Sequence, residues 1–261
     1  MIHESTTASI YYETHGESGE WVTLINGHTR TIRDFKMFTK KLITSGFRVL
    51  LIDNRGAGET QTSFPFTLED IADDIHDIWD ELNIDKSHVL GISMGGMISQ
   101  ILASEYQNSV KSLVLISSSA DDGFLTDIAS SDWGNTQESI ENKLSNYFAK
   151  DFYKSNKLLV ASMAKVMLKK QSGGFDEGAY LQRQAINEAD LAGIQDKIDC
   201  PTLILHGNED AIIDVSAALD LEKKIAHSRA LIFDSIGHLL LAEKPKETYL
   251  ACIDFFLNNR N

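Results

Sequence analysis

The sequence predicts an α/β fold: a mainly parallel central sheet flanked by helices, with a helical cap insertion. Three observations carry this. Short β-rich runs alternate with amphipathic helical patterns. Several of those runs are apolar at nearly every position, as strands buried on both faces must be. One long stretch, from Asp121 to Ile198, contains helical patterns and no convincing buried strand.

The elements follow in chain order. Ser9 to Thr14 (SIYYET) reads as a strand, the turn Gly16 to Gly19 follows, and Trp21 to Ile25 reads as a second strand. A hairpin of these two is expected at an antiparallel start of the sheet. Ile32 to Leu42 is a candidate helix and Phe47 to Ile52 (FRVLLI) a buried strand. Thr67 can cap a helix running to about Leu82, whose Leu68, Ile71, Ile75, Ile78 and Leu82 recur at helical spacing. Strands are expected at His88 to Ile92, Ser112 to Ile116, Thr202 to Leu205 and Ala230 to Phe233. Helices are expected at Gly95 to Ser104, Ser216 to Ile225 and Lys246 to Leu257. Within the insertion, Ile140 to Phe148 and Leu158 to Leu168 have helical patterning. Residues 1–120 and 199–261 are thus expected to form the core, and residues 121–198 a helical cap. A chain of 261 residues is long enough for both.

Charge narrows the function. The net charge is 24 − 38 = −14. Such a surface repels phosphate backbones and anionic lipid, so neither nucleic acid nor membrane is an expected partner. Cys200 and Cys252 form no CxxC pair and have no histidine cluster beside them, so buried free thiols are expected. The start of the chain has no basic segment followed by an apolar one, and no apolar run is long enough to span a bilayer. A cytoplasmic location is the expectation.

The strongest chemical signal is Gly91-Ile92-Ser93-Met94-Gly95, a G-x-S-x-G between a strand run and a helical pattern. A strand that turns abruptly into a helix crowds the residues two positions either side of the turn, and glycine relieves that crowding. The serine hydroxyl is then presented at a helix N-terminus, where unpaired N–H groups and positive potential gather. A serine nucleophile needs a base, and the base an orienting carboxylate. His238, in Ser235-Ile236-Gly237-His238, follows the last expected strand, at the strand end where α/β sheets build their sites. His206 ends the preceding strand and equally suits a structural role, as do His3, His15, His76, His88 and His227. For the acid, Asp210 lies in the loop after Thr202 to Leu205. Glu209 and Asp214 are near rivals, and Asp121 and Asp122 more distant ones. Oxyanion donors are expected from the backbone N–H of Met94 and, beyond Asn26-Gly27, of His28.

Taken together, these segments resemble the α/β-hydrolase superfamily along nearly the whole chain. LINGH is similar to its oxyanion loop, with Asn26 in place of the commoner histidine. DNRGAGET, from Asp53 to Thr60, is similar to D-x-R-G-x-G-x-S with threonine for serine. PTLILHGNED and GHLLLAEKPKE resemble the segments that carry the acid and the histidine. The resemblance implies Ser93 as nucleophile, Asp210 as acid, His238 as base, His28 and Met94 as oxyanion donors, and Asp53 and Arg55 as braces of a neighbouring loop. Dehalogenases and epoxide hydrolases of this fold carry aspartate where Ser93 stands. The layout is similar to the small subgroup of carboxylesterases, enol-lactonases, cofactor-free haloperoxidases and methyl esterases.

The expected activity is hydrolysis of a carboxylic ester or lactone, small to medium and largely apolar, through an acyl-enzyme. The same residues also suit C–C bond hydrolysis or lyase chemistry, and a non-catalytic ligand-binding module could keep the fold. No cofactor or metal is expected, since HExxH, P-loop and dinucleotide motifs are all missing from the sequence. The insertion offers Phe124, Trp133, Tyr147, Phe148, Phe152, Tyr153, Met163 and Met167 as candidate lining groups, some of which are expected only to hold its helices together.

Overall fold

A computed structural model describes residues 1–62, 65–126, 133–171 and 177–260. Its sheet contains β1 (Ile2–Glu4), β2 (Ala8–His15), β3 (Glu20–Ile25), β4 (Phe47–Ile52), β5 (Gln61–Thr62), β6 (Ser87–Ile92), β7 (Val110–Ile116), β8 (Thr202–Gly207) and β9 (Ser228–Phe233). The strand order is β1-β2-β4-β3-β6-β7-β8-β9, with β5 paired to β2. From β4 to β9 all pairings are parallel, while β1, β2 and β5 are antiparallel additions at one edge.

The expected hairpin of β2 with β3 does not form. β2 pairs antiparallel with β4, and β3 lies between β4 and β6. Burial explains the difference. Val22, Thr23, Leu24 and Ile25 are all buried, so β3 needs cover on both faces and a place inside the sheet. β2 alternates buried Ala8, Ile10 and Tyr12 with partly exposed neighbours, the pattern of a strand nearer the edge. The short β1 and β5 were not legible in the sequence.

Helices cover both faces. On one lie α1 (Lys36–Thr44), preceded by a 3₁₀ turn at Ile32–Phe35, and the C-terminal α10 (Pro245–Asn258); their Phe38, Leu42, Cys252 and Phe256 pack on Val49, Leu51, Leu90 and Leu205. On the other lie α2 (Leu68–Glu81), α3 (Met94–Glu105) and α8 (Ser216–Lys224). The apolar stripe of α2 is buried at Leu68, Ile71, Ile75 and Ile78. Thr67 closes its N-terminus by a capping box with Asp70: Asp70 N–H donates to Thr67 Oγ1 at 3.1 Å, and Thr67 N–H to Asp70 Oδ2 at 2.8 Å. Cys252 is buried and Cys200 half-buried; both are free thiols.

Between β7 and β8 the chain forms α4 (Gln137–Ser145), α5 (Lys150–Ser155), α6 (Lys157–Gln171) and α7 (Glu177–Glu188). Ile140, Leu144, Phe148, Val160 and Ala164 give α4 and α6 a small core of their own, while Leu181, Ala185 and Ile186 of α7 belong to the main core. The only strand-like pairing there, among the described residues, is an isolated bridge from Leu125 to Ile213. A short α9 (Leu240–Glu243) precedes α10. No described helix is long and apolar enough to cross a membrane.

Candidate active site

The β6–α3 turn sets Ser93 at the C-terminal end of a central strand. Its backbone stands at φ 54° and ψ −120°, a left-handed conformation that costs a non-glycine residue strain. The flanking glycines are sterically required. A Cβ on Gly95 would strike the carbonyl oxygens of Ile25 and Asn26, and one on Gly91 the carbonyl of Gly95 and the hydroxyl of Ser99. The loop after β3 lies directly against the serine: the Cβ position of Gly27 is 3.2 Å from Ser93 Cβ and 3.8 Å from Ser93 Oγ. Met94 opens α3, where the first N–H groups lack intrahelical acceptors.

Asp210 and His238 meet. His238 Nδ1–H donates to Asp210 Oδ2 at 2.8 Å, and both residues are buried. Asp210 Oδ1 accepts the backbone N–H groups of Ile212 at 2.9 Å and Ile213 at 3.0 Å. Burial alone would raise the carboxyl pKa of Asp210. The opposing charge of His238 and hydrogen bonds from His206 and His238 win, and hold it well below the usual carboxylate range. The carboxylate thus fixes the histidine as an Nδ1–H tautomer, leaving Nε2 to face a reacting group.

The rivals sit elsewhere. Glu209 is exposed and accepts the backbone N–H of Lys150, while Asp214 caps the turn at Ser216. Asp121 accepts the N–H of Gly123, and the side chain of Asp122 lies outside the described ones. His88 is buried at the start of β6 against Ser112 Oγ, and burial pushes its pKa down to about 4, so it stays neutral. His206 is the exception: its Nε2–H reaches Asp210 Oδ2 at 3.2 Å and Ile213 O at 3.0 Å.

Loops around the serine are braced from several sides. Asn26, standing where a histidine is commoner, donates to Thr31 O at 2.8 Å and accepts Gly27 N–H at 2.9 Å. Asp53 accepts the N–H groups of Ile32 and Glu59, and Arg55 makes a buried ion pair with Asp74 at 2.7 Å. Thr60 Oγ1 donates to Asp53 O and accepts Tyr11 N–H, filling the motif serine's place. His28 Nε2–H donates to Ala179 O at 2.8 Å, and Thr29 N–H to Gln182 Oε1 at 2.7 Å, tying this loop to α7. Two contacts escaped the sequence reading. Ser118 Oγ donates to Ser93 O and Ser117 Oγ to His238 O, both at 2.9 Å. The run Ser117-Ser118-Ser119, directly after a buried strand, was the available signal.

Ser93 and His238 line one cavity of about 220 Å³. Its wall includes Gly27, His28 and Met94 from the core, and Leu125, Trp133, Leu144, Tyr147, Met163 and Met167 from the segment between β7 and β8. It is largely apolar, with Arg30, Asp34 and Arg183 among its polar members. Tyr147 stands edge-on to the His238 ring, with centroids 5.6 Å apart. Four of the eight candidate lining residues serve packing instead. Phe148, Phe152 and Tyr153 pack into the helices' own core, and Phe124 packs with Ile212, Ile213 and Ala217; none lines the cavity. They fall on the faces that hold the helices together.

A family model described as alpha/beta hydrolase fold matches residues 20–245. The chain is 24% identical to 3-oxoadipate enol-lactonase 1 of Acinetobacter baylyi, covering 78% of this chain and 77% of that protein. It is 26% identical to Lipase 3 of a Moraxella species, covering 92% and 78%. A meta-cleavage product hydrolase from Pseudomonas fluorescens superposes with a TM-score of 0.85 at 23% identity, over 96% of this chain and 95% of that one.

Proposed function

From the premise that this chain belongs to the alpha/beta hydrolase family, we propose that it hydrolyses a small-to-medium, largely apolar carboxylic ester or lactone through an acyl-enzyme. Ser93 is the nucleophile, His238 the base and Asp210 the residue that orients and charge-stabilises it. The observation that carries the reading is the His238 Nδ1–Asp210 Oδ2 bond of 2.8 Å beside a strained Ser93 that shares its cavity with His238.

His238 Nε2 takes the hydroxyl proton as Ser93 Oγ attacks the acyl carbon, and the imidazolium forms against Asp210. The N–H groups of Met94 and His28 receive the oxyanion. The proton then passes to the leaving alcohol, or to the ring oxygen of an opened lactone. Water attacks the acyl-serine with His238 again as base.

The described residues of 121–198 act as a cap. Trp133, Leu144, Tyr147, Met163 and Met167 supply an apolar wall suited to an acyl chain, and the enclosure keeps bulk water from the reacting bond.

The test combines labelling with turnover. A fluorophosphonate should mark Ser93 alone, and purified protein should turn over members of an ester and lactone series graded in acyl length. Ser93→Ala should abolish both without lowering the unfolding midpoint. Labelling at a different serine, with Ser93 untouched, overturns the assignment.

A further inference from the structure

The loop that carries His238 is stitched to the helical segment by backbone. His238 N–H and Leu239 N–H both donate to Tyr147 O, at 2.9 and 3.3 Å. A Cβ on Gly237 would lie 2.7 Å from the backbone of Phe148 and Ala149, so the two chains pass in direct contact. One buried side chain that reaches across this junction is Glu243. Glu243 Oε1 accepts the N–H of Gly237 at 3.0 Å, and Glu243 Oε2 accepts the N–H of Ala149 at 3.0 Å. One carboxylate therefore grips the residue before His238 with one oxygen and the cap with the other.

We propose that Glu243 is a positioning residue for the proposed base, locking the His238 loop and the cap segment Tyr147–Ala149 into one unit. This rests on the assignment of His238 as base. The chemistry requires a carboxylate. Both partners are N–H donors, and an ionised carboxyl group offers a charged acceptor to each. An amide of the same shape offers one acceptor and turns a donor toward the other N–H, while the protonated acid leaves one N–H only its neutral hydroxyl oxygen, a weaker acceptor. Aspartate is one methylene shorter and cannot span both.

Protonation therefore weakens the clamp in the same direction as the amide substitution, and Glu243 is set to titrate in a useful range. Burial pushes its pKa up to about 7, against the two backbone hydrogen bonds; Asp210 and Glu209 raise it further. Those two acids face it from the loop after β8. Its own loop brings His238, and the cap segment brings Tyr147 and Lys150, the latter exposed.

The experiment compares Glu243→Gln with wild type across pH, using p-nitrophenyl butyrate as probe. At alkaline pH the variant should lose roughly tenfold in kcat, with KM within about twofold, because a loosened base is misplaced while the pocket still binds. As pH falls through about 7, wild type should converge on the variant and the kcat ratio approach unity. A residue that merely stabilises the fold would leave that ratio constant, and a constant ratio, at unity or otherwise, overturns the proposal. Wild type supplies a second readout that needs no variant. Carbon-13 NMR of labelled glutamate should show one carboxyl titrating near 7, and the low-field proton of His238 Nδ1 should shift with the same midpoint. Independence of the two midpoints also overturns it. His238→Gln separates the two readings. If it retains ester turnover, the base assignment falls and this proposal with it. If it is inactive while the Glu243→Gln ratio stays flat, only the role of Glu243 falls.

Discussion

Asp210 Oδ2 lies between two imidazoles: it accepts His238 Nδ1–H at 2.8 Å and stands 3.2 Å from His206 Nε2, whose N–H donates to Ile213 O. With the N–H groups of Ile212 and Ile213 on Oδ1, this buried carboxylate accepts three hydrogen bonds and has a fourth N–H close by. Asp210→Asn should therefore be severe, because an amide must turn its own N–H groups toward some of these donors. A loss on the order of 10⁴-fold in kcat is the precedent for such a change in a serine protease. His206→Phe removes the neighbouring N–H and leaves the His238 contact, so its cost should be smaller, about 10–100-fold. Steady-state rates on one generic ester decide the order, and a His206 variant as damaged as Asp210→Asn would contradict it.

Two glycines should behave differently for a steric reason. At Gly95 an added methyl meets backbone carbonyl oxygens that cannot move without shifting the loop after β3. Gly95→Ala should cost at least about 1–3 kcal/mol of stability and most of the activity, since the displaced loop lies beside Ser93. Gly193, at φ 75° with nothing within 4 Å of a Cβ, meets only the backbone penalty. Gly193→Ala should cost about 1–2 kcal/mol and leave kcat unchanged. Urea unfolding and ester turnover on both variants check the contrast, which an active Gly95→Ala would end.

Much of the fold was legible because its parallel strands are buried on both faces and so written as apolar runs. FRVLLI, HVLGI and SLVLI became β4, β6 and part of β7 with boundaries close to those expected. Pairing was less legible: nothing local to Ser9–Thr14 says that its partner is Phe47–Ile52 and not the nearer Trp21–Ile25. At the candidate site, Ser93 and His238 were conspicuous because glycines and strand ends mark them. His206, Ser117, Ser118 and Glu243 were not given their contacts, since each acts through a partner distant in sequence. Which of the candidate lining residues face the cavity was not legible for a related reason. Aromatic content does not reveal which face of a short helix looks inward, and Phe148 and Phe152 stack on each other.

Two buried carboxylates should pull stability in opposite directions with pH. The pKa of Asp210 is lowered on folding, so its contribution is present above the ordinary carboxylate range and lost as pH falls through the depressed value. That of Glu243 is raised, so the folded state holds its proton more tightly. Its contribution is full below about 4.5 and is lost as pH rises through about 7. The charged clamp thus operates at some cost in stability. Unfolding free energies of wild type and Glu243→Gln, measured across this range, should diverge in the variant's favour between those two values and run parallel above them. A difference independent of pH would contradict the raised carboxyl.

Met163 and Met167 stand four residues apart on α6 and both reach the cavity, whereas Val166, between them, is 58% exposed. Helical spacing places the two methionines on one inward face. Each buried methylene of substrate should add about 0.8 kcal/mol, or roughly fourfold in kcat/KM, until the wall is met. Wild type should therefore show an acyl-length optimum followed by a sharp fall. Met163→Ala and Met167→Ala lengthen the space and should move that optimum to longer chains, with labelling of Ser93 unchanged. Val166→Ala should leave the profile where it was. A profile that is flat in wild type, or one shifted equally by all three variants, would mean that these helices do not form the acyl pocket.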